Sequence, residues 1–201
     1  MRVAPILIGG LFAATLAALS VRRKRVTATY YRTTAAVHAH ARELATEAFQ
    51  NVVHAPPSRN ELRYLLAVAL HETTFGRGWR GPGTNSNNMG ALQAASAWTG
   101  ETFEYGDTHP TEGGGAVAYR ARLKAYPSEL EGWADLVRVL YLQSPSTRNA
   151  AARDDVRGVA AAMRRAGYYE GQGTPAERVA NYEQALVNAL WEIDHFEGAT
   201  T

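Results

Sequence analysis

Apolar and polar positions repeat with two different periods along this chain, and the change of period places its elements. From Thr27 to His54, the residues Ala36, Val37, Leu44, Ala48, Val52 and Val53 recur at helical spacing, which predicts one long helix. Ala55-Pro56-Pro57 ends it. Ser58-Arg59-Asn60-Glu61 then has the Ser-x-x-Glu form of a capping box and opens a second helix reaching about Thr73. Its run from Leu65 to Leu70 is apolar on every side, so this helix is expected to be the central, most buried one. Phe75 to Asn88 holds four Gly, one Pro and three Asn and reads as a loop. A short helix is expected from Ala91 to Trp98.

The period then changes from about 3.6 to 2. Thr102 to Tyr105 has strand texture, and Gly106 to Gly115 reads as a long turn. From Ala116 to Lys124 the chain alternates: Val117, Tyr119, Ala121 and Leu123 take one face, Arg120, Arg122 and Lys124 the other. One β-hairpin set among helices is the prediction. Pro127-Ser128 starts a further helix through Trp133, Leu136, Val137 and Leu140, broken at Ser144-Pro145-Ser146. A helix from about Asp154 to Ala166 stops at Gly167, and Pro175 begins the last one, with Val179, Tyr182, Leu186, Leu190 and Ile193 inward. The fold class is therefore mainly α with a small β lobe.

Charge changes this picture at one end. Five of the 21 basic residues and no acid lie in residues 1–26, which leaves 16 basic against 19 acidic residues in the remainder. A mildly acidic body argues against a nucleic-acid surface. Val3 to Val21 is a stretch of nineteen uncharged residues followed by Arg22-Arg23-Lys24-Arg25. About 20 apolar residues span a bilayer, so 3–21 is expected to be a transmembrane helix in a lipid bilayer. A cleaved signal peptide is the competing reading, opposed by the basic cluster and by the lack of a small-x-small cleavage site. The division expected is an anchor over 1–26 and a globular domain over 27–201. Without any Cys there is no disulfide or thiol chemistry.

Candidate chemistry centres on Glu72, the acid at the end of the apolar helix. Partial burial there holds a carboxyl proton toward neutral pH, ready for donation. His71-Glu72 would need His at position 75 for a zinc motif, and that position is Phe75. His38 and His40, two apart on a helix, share no face. No metal or cofactor is implied.

Ala67-Val68-Ala69-Leu70-His71-Glu72-Thr73-Thr74-Phe75-Gly76, with Asn87-Asn88-Met89-Gly90 and Gly90-Ala91-Leu92-Gln93, resembles the lysozyme-like superfamily of peptidoglycan-cleaving enzymes. The match lies between two branches, the autolysin or flagellar-type glucosaminidases and the soluble lytic transglycosylases. Its specific part covers about thirty residues, and the Asn-Asn-Met-Gly stretch is one residue shorter than the glucosaminidase form.

This resemblance implies a lysozyme-like helical domain whose β-hairpin is the lobe facing the catalytic helix, peptidoglycan glycan strands as substrate, and Glu72 as general acid. A hydrolase would need a second carboxylate on that lobe: Glu104 first, because a strand fixes its direction, with Asp107 and Glu112 in the turn. A lytic transglycosylase needs none, because the substrate's own C6 hydroxyl attacks. Gly167-Tyr168-Tyr169-Glu170-Gly171 resembles a late aromatic motif in which a Tyr lies near the acid, so Tyr168 joins Glu72 and Glu104 as expected catalytic residues. Asn88, Met89, Gln93, Trp79 and Tyr169 are expected to bind sugar, whereas Trp98 is assigned to packing. A non-catalytic envelope or virion protein on the same scaffold is the alternative from another class, and Glu72 argues against it. The expected place is membrane-anchored, in a cell envelope or a virion membrane. The basic flank by itself favours a cytoplasmic body, at odds with a wall substrate.

Overall fold

The computed structural model describes residues 33–77, 86–110, 116–169 and 173–198, with backbone alone for 107–110 and 116–119. The expected membrane helix over 3–21 and its flank lie outside the described residues, as do Trp79 and Glu112. Among the described residues no helix is long and apolar enough to cross a membrane.

The element order is α1 (Ala35–Val53), α2 (Arg59–Thr73), β1 (Thr102–Pro110), β2 (Ala116–Lys124), α3 (Glu129–Val137), a π-helical turn (Arg138–Leu142), α4 (Pro145–Ala152), α5 (Val156–Arg165) and α6 (Pro175–Gly198). Thr34 caps α1 and Ser58 caps α2, the latter in the expected reciprocal box with Glu61. From Tyr64 to Leu70 every residue of α2 is buried. Trp133, Leu136 and Leu140 from α3 and the π-turn, Phe49 from α1, Met163 from α5, and Leu186 and Ile193 from α6 close around it. The central-helix expectation therefore holds. Its cause is plain: a helix apolar all round can be stable only when covered all round.

Two expectations need correction. No helix forms at 91–98. Those residues run as turns with a bridge from Gln93 to Leu123, because the backbone of Leu92 and Ala94 is taken up by Lys124 and Arg122. The expected break at Ser144-Pro145-Ser146 is present, just after the π-helical turn. Pro145 opens α4, its ring accepted in the first turn where a missing N–H costs nothing. Asp107 does not sit in a turn: β1 runs on to Pro110 and pairs with β2 from Thr102↔Lys124 to Pro110↔Ala116.

The hairpin is the one sheet among the described residues. Its base is tied to the helices by Lys124 Nζ and the Tyr126 hydroxyl, which donate to Asp135 of α3 at 2.8 and 2.6 Å. Gly132 lets α3 lie against the loop before the hairpin. A Cβ there would stand 1.7 Å from the Asn87 carbonyl oxygen. Gly132→Ala is therefore expected to destabilise the protein by about 3 kcal/mol, at the upper end of overpacking costs, read as a lowered urea midpoint.

Candidate active site

Glu72 occupies the last turn of α2, one residue before its end. The corner that follows is unusual: Thr74 and Phe75 both take the left-handed region, with φ of 52° and 57°. For residues with a Cβ, and a β-branched one above all, that conformation costs on the order of 1 kcal/mol each. It is held by Thr73, whose hydroxyl donates to Met89 O at 2.8 Å and accepts from Gly76 N at 2.8 Å. The end of the helix is thereby fastened to the Asn-rich loop.

Glu72 keeps part of its surface accessible while its carboxyl group lies deep among protein atoms. Burial pushes the carboxyl up to about 7, and a hydrogen bond from the Tyr182 hydroxyl to Oε1, at 2.5 Å, opposes part of that rise. Desolvation wins because one neutral phenol replaces only some of the hydration that an ionised carboxylate loses. Tyr182 is itself buried, and its phenol is pushed well above its ordinary range by burial and by the neighbouring acid. It therefore stays a hydrogen-bond donor at any physiological pH.

Two further tyrosines stand around this pair. The Tyr168 hydroxyl donates to Gly90 O at 2.7 Å and is pushed up by burial first and by Glu72 second, which places it in the acid's field. Gly90 has no room for a side chain: a Cβ would meet Leu136 at 2.5 Å and the Tyr168 hydroxyl at 2.6 Å. Tyr169 lays its ring flat on Tyr182, with centroids 4.0 Å apart and planes 7° from parallel, and its hydroxyl donates to Ala160 O at 2.9 Å. His71 meets Tyr182 edge-on. The arrangement is a near-neutral acid with one oxygen fixed by a phenol, backed by stacked aromatic rings.

The structure thus brings Glu72, Tyr168 and Tyr169 together. Glu104 lies on β1, exposed, opposite Arg122 and in an ion pair with Arg120 at 3.6 Å. Gln93 is exposed beside the hairpin. Asn88 and Met89 do not line a sugar site, and here the expectation is corrected. Asn88 is fully buried. Its Nδ2 donates to Leu92 O at 3.0 Å and to Lys124 O at 2.9 Å, and its Oδ1 accepts from Leu92 N at 2.9 Å. Met89 is buried in the core, against Gly76. Among the described residues no cluster of three or more His, Asp or Glu could hold a metal.

Tyr182 is the residue the sequence reading missed as part of the site, because its spacing with Leu186 and Leu190 marks it as core. The available signal was chemical: a phenol in the middle of an apolar helix face needs a polar partner.

Comparison with solved structures places this arrangement among known folds. The chain is similar to a peptidoglycan hydrolase from Sphingomonas sp. A1, with 25% identity, a TM-score of 0.53, and coverage of 79% of this chain and 99% of that one. It is also similar to the glycoside hydrolase domain of FlgJ from Salmonella typhimurium, with 23% identity, a TM-score of 0.51, and coverage of 79% of this chain and 96% of that one. A longer form of that domain matches at 20% identity and a TM-score of 0.53, over 84% of this chain and 93% of that one. No family model and no curated protein matches the sequence. The resemblance read from residues 65–93 to lysozyme-like peptidoglycan-cleaving enzymes thus extends through the fold.

Proposed function

We propose that this chain is a peptidoglycan glycosidase that cleaves glycan strands with Glu72 as general acid. The observation that carries this reading is the state of Glu72: a carboxyl whose proton is held to about pH 7, hydrogen-bonded by Tyr182, in a fold shared with peptidoglycan hydrolases. A general acid works best when its pKa lies near the working pH. With Tyr182 donating to Oε1, the acid's own proton belongs on Oε2. That oxygen is then the one to protonate the glycosidic oxygen as the bond to the sugar breaks. Tyr168 and Tyr169 supply hydroxyl and ring surface near the reacting bond.

Two chemistries fit after protonation. In the hydrolase reading, a carboxylate across the site activates water, and Glu104 fills that role by movement of the hairpin toward Glu72. In the transglycosylase reading the substrate's C6 hydroxyl attacks, and no second carboxylate is required. The deciding experiment is mass analysis of wall fragments made by the wild type and by Glu104→Ala. Reducing ends that disappear in the mutant establish the hydrolase. Anhydro ends that persist in it establish the transglycosylase. Residues 3–21 are proposed as a membrane anchor, supported by their uncharged length and basic flank. Full-length protein remaining soluble without detergent would refute this.

Tyr182→Phe separates positioning from acidity. Loss of the phenol removes a bond that stabilises the ionised acid, so the Glu72 pKa is expected to rise further. The high-pH limb of the kcat/KM profile should move up by up to about one pH unit, while kcat falls roughly tenfold as the carboxyl loses its fixed direction. A limb that moves down would contradict the assigned hydrogen bond.

A further inference from the structure

Helix α6 carries apolar side chains on both of its sides, and the core accounts for one side only. Tyr182, Leu186 and Ile193 face inward and are buried. On the outer side Val187 and Trp191, one turn apart, are 42% and 48% exposed. His195 continues the line one turn further, its ring beside that of Trp191. Folding alone gives no reason to leave an indole nearly half in water, since Trp is highly buried on average. The acids that flank this line are held by arginines of the neighbouring helices, Glu183 by Arg157 of α5 and Asp194 by Arg63 of α2. The outer face of α6 is thus apolar and aromatic at its centre and balanced in charge at its rim.

The point where the chain enters the domain indicates what covers this face. Thr33, the first described residue, donates to Oε1 of Glu192 at 3.0 Å, so the chain enters next to the residue that follows Trp191. The sequence before it is uncharged from Val3 to Val21 and basic at Arg22-Arg23-Lys24-Arg25. The chain between Val21 and Thr33 can reach at most about 40 Å. A bilayer holding residues 3–21 is therefore within reach of the outer face of α6, and a contact made on such a tether needs little affinity of its own. Trp suits that contact, with a ring for the acyl boundary and an N–H for the headgroups. Resting on the proposed anchor at 3–21, we propose that the outer face of α6, centred on Val187 and Trp191, docks on the surface of that bilayer. The contact sets an orientation. Tyr182, which holds Glu72, stands five residues before Val187 and roughly opposite it on the helix. Docking through the outer face turns the acid away from the lipid.

The chain has no Cys, so a single label can be placed at a chosen site. Full-length Val187→Cys and Glu131→Cys, the second at an exposed position of α3, each receive a polarity-sensitive fluorophore. Both are reconstituted into vesicles of phosphatidylethanolamine and phosphatidylglycerol, with and without lipid carrying a nitroxide near its headgroup. The label at 187 is expected to lose about half its intensity or more to the nitroxide, as a site at the headgroup boundary would, while the label at 131 keeps its own. Adding Trp191→Ser should bring the 187 label to the level of the 131 label, with far-ultraviolet circular dichroism unchanged. A 187 label that stays bright in protein floating with the vesicles overturns the proposal. So does equal quenching at both sites, or quenching that Trp191→Ser leaves as it was. A 187 label already shielded in detergent, before vesicles are added, assigns the face to a second copy of the chain and overturns it as well. Protein that does not float with the vesicles overturns the anchor reading, and this one with it.

Discussion

Glu72→Gln is expected to lower wall cleavage at least a hundredfold and, above pH 7, to make the protein more stable. General acid catalysis contributes roughly 10²–10⁴-fold, and the amide keeps the shape of the side chain while losing the donatable proton. The stability arm follows from linkage. Burial raises the folded-state pKa from 4.5 to about 7, so the folded protein binds this proton more tightly than the unfolded chain does. Between those values the folded state holds more protons, and stability falls as pH rises through the window. Above it the buried carboxylate is a standing cost, about 2 kcal/mol after allowing for its partial exposure. Gln carries no such cost. Melting temperatures of wild type and mutant should therefore converge below pH 4.5 and diverge in the mutant's favour at pH 8. A mutant that is inactive because it is unfolded would give the opposite order at every pH.

Asn88→Ala should be the most damaging polar substitution outside the acid, and its damage should be to folding. Three hydrogen bonds of a fully buried amide disappear, leaving the N–H and C=O of Leu92 and the C=O of Lys124 without that partner. Each buried group left unmet costs about 1–3 kcal/mol, so a loss of about 4 kcal/mol in urea unfolding is expected. A sugar-binding role would produce a different result, a raised KM at unchanged stability.

These two residues show how far the sequence could be read. The burial of the Glu72 carboxyl was legible because an acid that ends an all-apolar helix has few fates, and the burial that makes the helix legible also tightens the acid's hold on its proton. The hairpin was legible from the period-2 stretch that includes Arg120, Arg122 and Lys124. Asn88 was misread because an Asn beside glycines in a loop looks the same whether its amide faces sugar or backbone. The choice is made by Leu92 and Lys124, the second of which is 36 residues away. Tyr182 was hidden for the related reason that its partner lies 110 residues back in the chain. The absent helix at 91–98 failed through the same blindness. Local apolar content favoured helix, and the hairpin backbone claimed the hydrogen bonds first.

The left-handed pair Thr74 and Phe75 has a consequence in time. Neither residue would hold that conformation in an isolated helix, and the bonds that hold it come from Met89 and Gly76 through Thr73. Helix α2 can form early from its own cap and periodicity, but the corner beside the acid is set only when the Asn-rich loop docks. In refolding from urea, helical circular dichroism should return before wall-cleaving activity does, with a lag that Asn88→Ala lengthens. A newly made chain would then pass through a collapsed, helical and harmless stage, and become able to cut a cell wall only as its last loop closes.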